Sequence, residues 1–244
     1  MKNTLCLLIF SLLFIFSCEN RPKKKLVYAE DEIATATEAN TETDTTVMLV
    51  GDLPVFFDST HYLIFPVGKI NINKKESSSY SKISRSESGD SGSASIGYLR
   101  GDSYSGNLTS LYSQQVDSTE LISLIEGNLY IRYFQFLENV RRNTDKEMLL
   151  LSVVDTDTNN DKKLNHEDLT SLYLASLDGK ILKKLTVDFH LLKDWRIYAV
   201  NNRIYFNTME DADRNGEFNH KDKAHYYFID LDDNELKISE YNLF

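Results

Sequence analysis

The chain has two cysteines, Cys6 and Cys18, and both lie at its beginning. Past Cys18 there is no second thiol, so no internal disulfide can staple the remainder. An oxygen-bound cation is the kind of cross-link left to such a chain. Basic charge is also short. Against 37 Asp and Glu stand 27 Lys and Arg, a formal net charge of −10. That balance excludes a nucleic-acid partner, which requires a basic surface. There is no Gly-x-Ser-x-Gly, no His-Glu-x-x-His and no glycine loop to cradle a phosphate. The five histidines are dispersed and show no clustering in the sequence. No window of three helical turns carries a sustained apolar stripe. The one long uncharged run is Thr4 to Ser17, too short to span a bilayer comfortably.

What is present begins at that run. Lys2 supplies a short positive region ahead of it, as in an export signal. The run ends in Ile15-Phe16-Ser17-Cys18, which resembles the lipobox of bacterial lipoproteins. The resemblance implies a signal peptide over 1–17 and lipidation of Cys18, hence membrane attachment and a place in the bacterial cell envelope, on the periplasmic or surface face of the outer membrane. An ordinary signal peptide or short anchor helix is the alternative. Arg21, Lys23, Lys24 and Lys25 follow, as a solvated stem or a contact with anionic head groups. Ala29 to Thr46 is rich in Glu, Asp and Thr. It holds too little apolar surface to offset ordering entropy, so 18–46 reads as anchor and disordered tether.

Residues 47–244 read as strands. Met148–Val154 is an aliphatic and β-branched run, and Trp195–Val200 and Arg203–Thr208 alternate. Asn201-Asn202 and Asp178-Gly179 are two-residue hairpin signals, because Asn and Gly accept positive φ. Lys74 to Gly106 is rich in Ser and Gly and predicts a long loop or insert.

Internal repetition organises the strands. Asp168-Leu-Thr-Ser-Leu-Tyr173 recurs as Asn107-Leu-Thr-Ser-Leu-Tyr112, and Asn165-His-Glu-Asp168 as Asn219-His-Lys-Asp222. These anchors define three units, about 47–124, 126–185 and 188–243, each of four strands. The expectation is an all-β domain of three repeated four-stranded antiparallel meanders. This layout resembles blades of β-propellers of the TolB type, supported by Leu177-Asp-Gly-Lys180 followed by Leu185-Thr186. Three blades are too few for a closed propeller, so the array is open or completed by a partner, or the fold is a β-sandwich.

Two segments carry one oxygen-rich spacing. Asp157, Asn159, Asp161, Lys163, Asn165 and Asp168 occupy positions 1, 3, 5, 7, 9 and 12 of the first. Asp211, Asp213, Asn215, Glu217, Asn219 and Asp222 occupy the same positions of the second. Side-chain oxygens at 1, 3 and 5, a backbone carbonyl at 7, a water-mediated contact at 9 and a carboxylate at 12 form a hard, all-oxygen cage that suits Ca²⁺. The pattern resembles the calcium loops of EF-hands and dockerins. The flanks are strand formers, so the likeness covers the loop and not the helices around it. Asp replaces Glu at position 12 in both loops. Gly216 fills position 6 of the second loop and Lys162 that of the first. A solvated acidic turn is the alternative, since Asp and Asn are ordinary turn formers. Asn165 and Asn219 are also placed to cap a turn entering position 12. Asp155 and Glu210 flank the loops, and His166 and His220 at position 10 read as solvated.

Three functional readings follow. The first is a non-enzymatic, calcium-binding envelope lipoprotein that serves as a binding or scaffold module for a protein or glycan partner. The second is a carbohydrate-binding lipoprotein, which an exposed cluster of Trp195 with several tyrosines would favour. The third is a hydrolase, which a pocket holding two carboxylates outside the loops would favour.

Overall fold

The computed structural model describes residues 25–28, 47–71 and 96–243. The expected signal over 1–17, Cys18, the rest of the expected tether, and 72–95, which hold most of the Ser-rich segment, lie outside the described residues. The protein is all-β with antiparallel pairing. Its elements in order are β1 (Val47–Gly51), β2 (Val55–Phe56), β3 (Tyr62–Asn71), β4 (Gly97–Arg100), β5 (Ser103–Gln115), β6 (Ile122–Ile125) and β7 (Tyr130–Phe136). There follow α1 (Glu138–Thr144), β8 (Met148–Val154), β9 (Ser171–Ser176), β10 (Leu182–Lys184), β11 (Leu191–Tyr198), β12 (Arg203–Glu210), β13 (Lys223–Asp230) and β14 (Ile238–Glu240).

Three four-stranded antiparallel meanders account for most of these strands. They are β1-β3-β5-β6, β7-β8-β9-β10 and β11-β12-β13-β14. The turns behave as their residues dictate. Gly179 (φ 73°) closes β9 to β10 and Asn202 (φ 45°) closes β11 to β12, each in a conformation few other residues accept cheaply. Two features depart from the expected layout. The C-terminal part of the Ser-rich segment is not loop, because β4 forms a hairpin with the start of β5 from Gly97 onward. The first two meanders also share one ten-stranded sheet, because β5 is long enough to serve both. Its second half pairs β3 and β6, and its first half pairs β7. The register shifts between Ser105 and Leu108, where the strand changes allegiance. Gly68 crosses this bend, and a Cβ there would lie 2.3 Å from the Asn107 carbonyl oxygen.

The meanders pack face to face through two cores. Leu149, Leu151 and Val153 on β8 join Ala175 on β9 against Ile64, Leu108, Leu111 and Phe134. Met148 and Leu150 point the other way and join Leu172 and Leu174 against Ile204, Phe206, Tyr227 and Ile229. All seven residues of β8 are therefore buried, which explains its continuous rather than alternating apolar sequence. Each such aliphatic side chain contributes about 1.5–3 kcal/mol by burial. The outer meanders bury one face each, and β12 alternates accordingly. Among the described residues no helix is long and apolar enough to cross a membrane.

Candidate metal-binding loops and their surroundings

The two oxygen-rich segments occupy equivalent places. The first links β8 to β9 and the second links β12 to β13, so each joins the second strand of its meander to the third. In the first meander the corresponding connection, from β3 to β5, includes residues 72–95, outside the described residues, and β4.

Their internal bonding matches position by position. The carboxylate at position 1 accepts the position 6 N–H, Lys162 to Asp157 at 2.7 Å and Gly216 to Asp211 at 2.7 Å. Its other oxygen accepts the position 5 N–H, at 3.2 Å from Asp161 and 3.1 Å from Asn215. Position 12 ties the two ends of each loop. Asp168 accepts from Thr158 at 2.9 Å and from Asn165 at 3.0 Å. Asp222 accepts from Ala212 at 3.1 Å and from Asn219 at 2.7 Å. Position 3 accepts from position 5, Asn159 from Asp161 and Asp213 from Asn215. Position 5 accepts from position 7, Asp161 from Lys163 at 2.9 Å and Asn215 from Glu217 at 2.6 Å. Asn165 and Asn219 cap the following turn, accepting from Glu167 and Lys221. The backbone also repeats. Positions 4 and 6 have positive φ in both loops, Asn160 (59°) and Lys162 (63°) in the first, Arg214 (55°) and Gly216 (77°) in the second. The side-chain oxygens thus hold each loop in shape by accepting from its own backbone N–H groups. Single oxygens of Asp211, Asp213 and Asp222 lie within 4.8 Å of one another. The first loop has the neutral Asn159 in the place of Asp213. Asp168 and Asp211 are buried, and such carboxylates require compensation by donors or a cation. The donor set is hard oxygen throughout, which fits Ca²⁺.

Residues flanking the loops fix them to the sheets. Asp155 accepts from Ser171 at 3.1 Å, Tyr173 at 2.7 Å and Lys184 at 2.5 Å. Burial pushes its carboxyl up, but the bonds from Lys184, Tyr173 and Ser171 outweigh this and hold it below the ordinary carboxylate range. Lys25–Tyr28, inside the stretch read as a tether, touch both loops. Val27 N–H donates to the Thr158 carbonyl at 2.8 Å, the Thr158 hydroxyl donates to the Lys25 carbonyl at 2.7 Å, and Leu26 is 1% exposed. The Tyr28 hydroxyl is pushed up to about 12 by burial and by its bond to Asp211, and Arg214 lies over its ring.

The fold also gathers residues that sequence reasoning left apart. His190, Glu210 and His225 meet on the inner face of the last meander, although the sequence showed no histidine cluster. The His225 Nε2–Glu210 Oε2 distance is 2.9 Å and the His225 Nδ1–Glu240 Oε1 distance 2.8 Å. His190 Nδ1 lies 3.1 Å from the Thr208 hydroxyl. Strand parity was the available signal. Thr208 and Glu210 share the inward parity of Ile204 and Phe206, and His225 that of Tyr227 and Ile229.

The outer face of the same sheet carries Tyr198, Tyr205, Tyr226, Phe228 and Tyr241, with successive ring centroids 5.7 to 6.3 Å apart. Trp195 is not among them. It stands opposite Phe206, packs on the core and meets Tyr133 at 6.2 Å. A second groove, beside β8 and β9, is lined by Asp145, Glu147 and Asp178 among others. There Glu147 is bound by the backbone and ring of His61, and Asp178 by Ser176 and Lys180. Burial pushes Asp178 up, but Lys180 and Ser176 hold it below its ordinary value, the opposite of what a general acid needs.

No protein-family model matches the chain, and no curated protein matches it. A solved structure described as a candidate TolB from Agrobacterium tumefaciens is similar over 78% of this chain and 80% of that one, at 11% identity and a TM-score of 0.20. A superposition that weak carries no argument about function.

Proposed function

We propose that the protein is a calcium-binding lipoprotein of the bacterial envelope, anchored through Cys18 and serving as a non-enzymatic binding or scaffold module. The observation that carries this reading is the bonding that the two loops share at positions 1, 3, 5 and 12, which places like acceptors at like positions in two separate meanders. The two loops also occupy equivalent places in their meanders, between the second strand and the third. In this reading Asp157, Asn159, Asp161 and Asp168, and Asp211, Asp213, Asn215 and Asp222, contribute side-chain oxygens. Lys163 and Glu217 contribute backbone carbonyls, and Asn165 and Asn219 act through water. Calcium then neutralises the clustered carboxylates and pins the strand pairs β8-β9 and β12-β13. Calorimetry of the full chain tests this, with two calcium equivalents expected. Loss of neither equivalent in an Asp157→Ala/Asp211→Ala variant would refute it. Acyl labelling, abolished by Cys18→Ser, tests the anchor.

A second reading is favoured by one observation, the five-ring aromatic face of the last sheet. Such a surface suits the apolar faces of sugar rings, and Asp194, Arg196 and Asn207 border it. Binding to envelope glycans that Tyr205→Ala and Tyr241→Ala both abolish would favour the carbohydrate module over the scaffold. Capture of an envelope protein that is lost with chelator and retained in those variants would favour the scaffold.

A further inference from the structure

We propose that His190, Glu210 and His225 form a site for a borderline divalent transition metal, of which Zn²⁺ is the representative, separate from the oxygen loops. The inference starts from strand register. His225 stands opposite Thr208, and Leu191 stands opposite Met209, which brings the preceding His190 beside Glu210. One ligand-capable atom from each of His190, Glu210 and His225 then lies within 4.8 Å of the other two. The two imidazole rings are 5.1 Å apart.

The surroundings select the donor atoms. In both histidines Nδ1 is already engaged, with the Thr208 hydroxyl in His190 and with Glu240 in His225. That leaves Nε2 of each ring as the candidate donor to an ion, with the Glu210 carboxylate 2.9 Å from Nε2 of His225. It is the arrangement in which an outer partner fixes the tautomer and ring orientation of a ligating histidine. His225 sharpens the point. Its side chain is 10% exposed, and a carboxylate oxygen faces each of its nitrogens. A neutral imidazole has one N–H, so it can donate to only one of them and offers its other nitrogen as a lone pair. A metal ion between the two Nε2 atoms and Glu210 satisfies every group. Nδ1–H of His225 donates to Glu240, Nδ1–H of His190 donates to Thr208, and the lone pairs turn to the ion. Two imidazoles and one carboxylate suit Zn²⁺ and its neighbours and disfavour Ca²⁺, which takes oxygen ligands.

The site would cross-link the end of β12 to the start of β11 and to β13. Glu210 directly precedes Asp211, position 1 of the second oxygen loop, so the two centres would share one backbone segment. The ligand chemistry keeps them distinct.

The test uses the untagged full chain with calcium in excess, so that the oxygen loops are saturated. Co²⁺ serves as the spectroscopic probe and Zn²⁺ as the competitor. One equivalent of Co²⁺ with tetrahedral visible absorption, displaced by one equivalent of Zn²⁺, is expected. His190→Ala and Glu210→Gln are each expected to weaken Zn²⁺ binding by more than about tenfold. Both sites of substitution are partly open to solvent, so both variants are expected to keep the far-UV spectrum of the parent. His166→Ala, in the first oxygen loop, is expected to leave the Co²⁺ spectrum and the Zn²⁺ affinity unchanged. Absence of the tetrahedral spectrum, or Zn²⁺ affinity unchanged in both His190→Ala and Glu210→Gln, would overturn the assignment.

Discussion

Replacing Lys162 by glycine should strengthen the first loop. Lys162 holds φ at 63° at position 6, where the second loop uses Gly216 at 77°. An L-residue with a Cβ pays roughly 1–2 kcal/mol for that conformation. Glycine removes the cost but gains freedom in the unfolded chain, which offsets up to about 1 kcal/mol. The Lys162 side chain is exposed, and the bond that matters, from its N–H to Asp157, belongs to the backbone and survives. Removing a cation from beside the site adds a small favourable term, reduced by screening. The net expectation is about 0.7–1 kcal/mol, or a threefold to fivefold gain in calcium affinity. The assay is calorimetry in an Asp213→Ala background, so that only the first loop reports, paired with a thermal melt of the calcium-loaded protein. If the first loop is already ordered without calcium, the gain moves from affinity into the melt. Unchanged affinity together with an unchanged melt would show that backbone strain at position 6 does not limit this loop. By the same physics, the unmodified second loop should bind more tightly than the first by about 1–2 kcal/mol, with Gly216 at position 6 and Asp213 in place of Asn159 both contributing.

Three other outcomes are expected. Saturating calcium, ~100-fold above its dissociation constant, should add ~2.7 kcal/mol per site and raise the melting temperature by about 5–10 °C per site; identical melts in calcium and in chelator would remove calcium from the account. Leu26→Ala should cost about 2–4 kcal/mol in denaturant unfolding, because this 1%-exposed side chain lies in the segment that bonds to Thr158; a change below about 0.5 kcal/mol would mean the segment adds nothing to the fold. Asp155→Asn should cost about 2 kcal/mol, since it removes the carboxylate that Ser171, Tyr173 and Lys184 share, and a neutral result would place the hold on β8 and β9 elsewhere.

Much of this molecule is written locally. The oxygen loops form through bonds between residues two to five apart, such as Asp157 with Lys162 and Asp211 with Gly216, and are tied at their ends by position 12, ten residues from its donor, so Asp and Asn at fixed spacing within one loop suffice to specify them. The hairpins at Gly179 and Asn202 are equally local, because positive φ is a property of the residue that adopts it. The repeated Leu-Thr-Ser-Leu-Tyr segment marks the third strand of the first two meanders, with Leu108, Leu111 and Leu172 among its core contacts, and its recurrence was enough to divide the chain into units. Tertiary structure decided the rest. Whether β5 belonged to one meander or two depended on its length and on the bend past Gly106, and no periodicity reports that. Lys25–Tyr28 fall in the stretch assigned to anchor and tether from the composition of the residues after them, yet Leu26 is buried and Val27 bonds to the Thr158 carbonyl. His190 and His225 became neighbours only when the register of β11, β12 and β13 set them on either side of Glu210, because cross-strand proximity is fixed by pairing and not by distance along the chain.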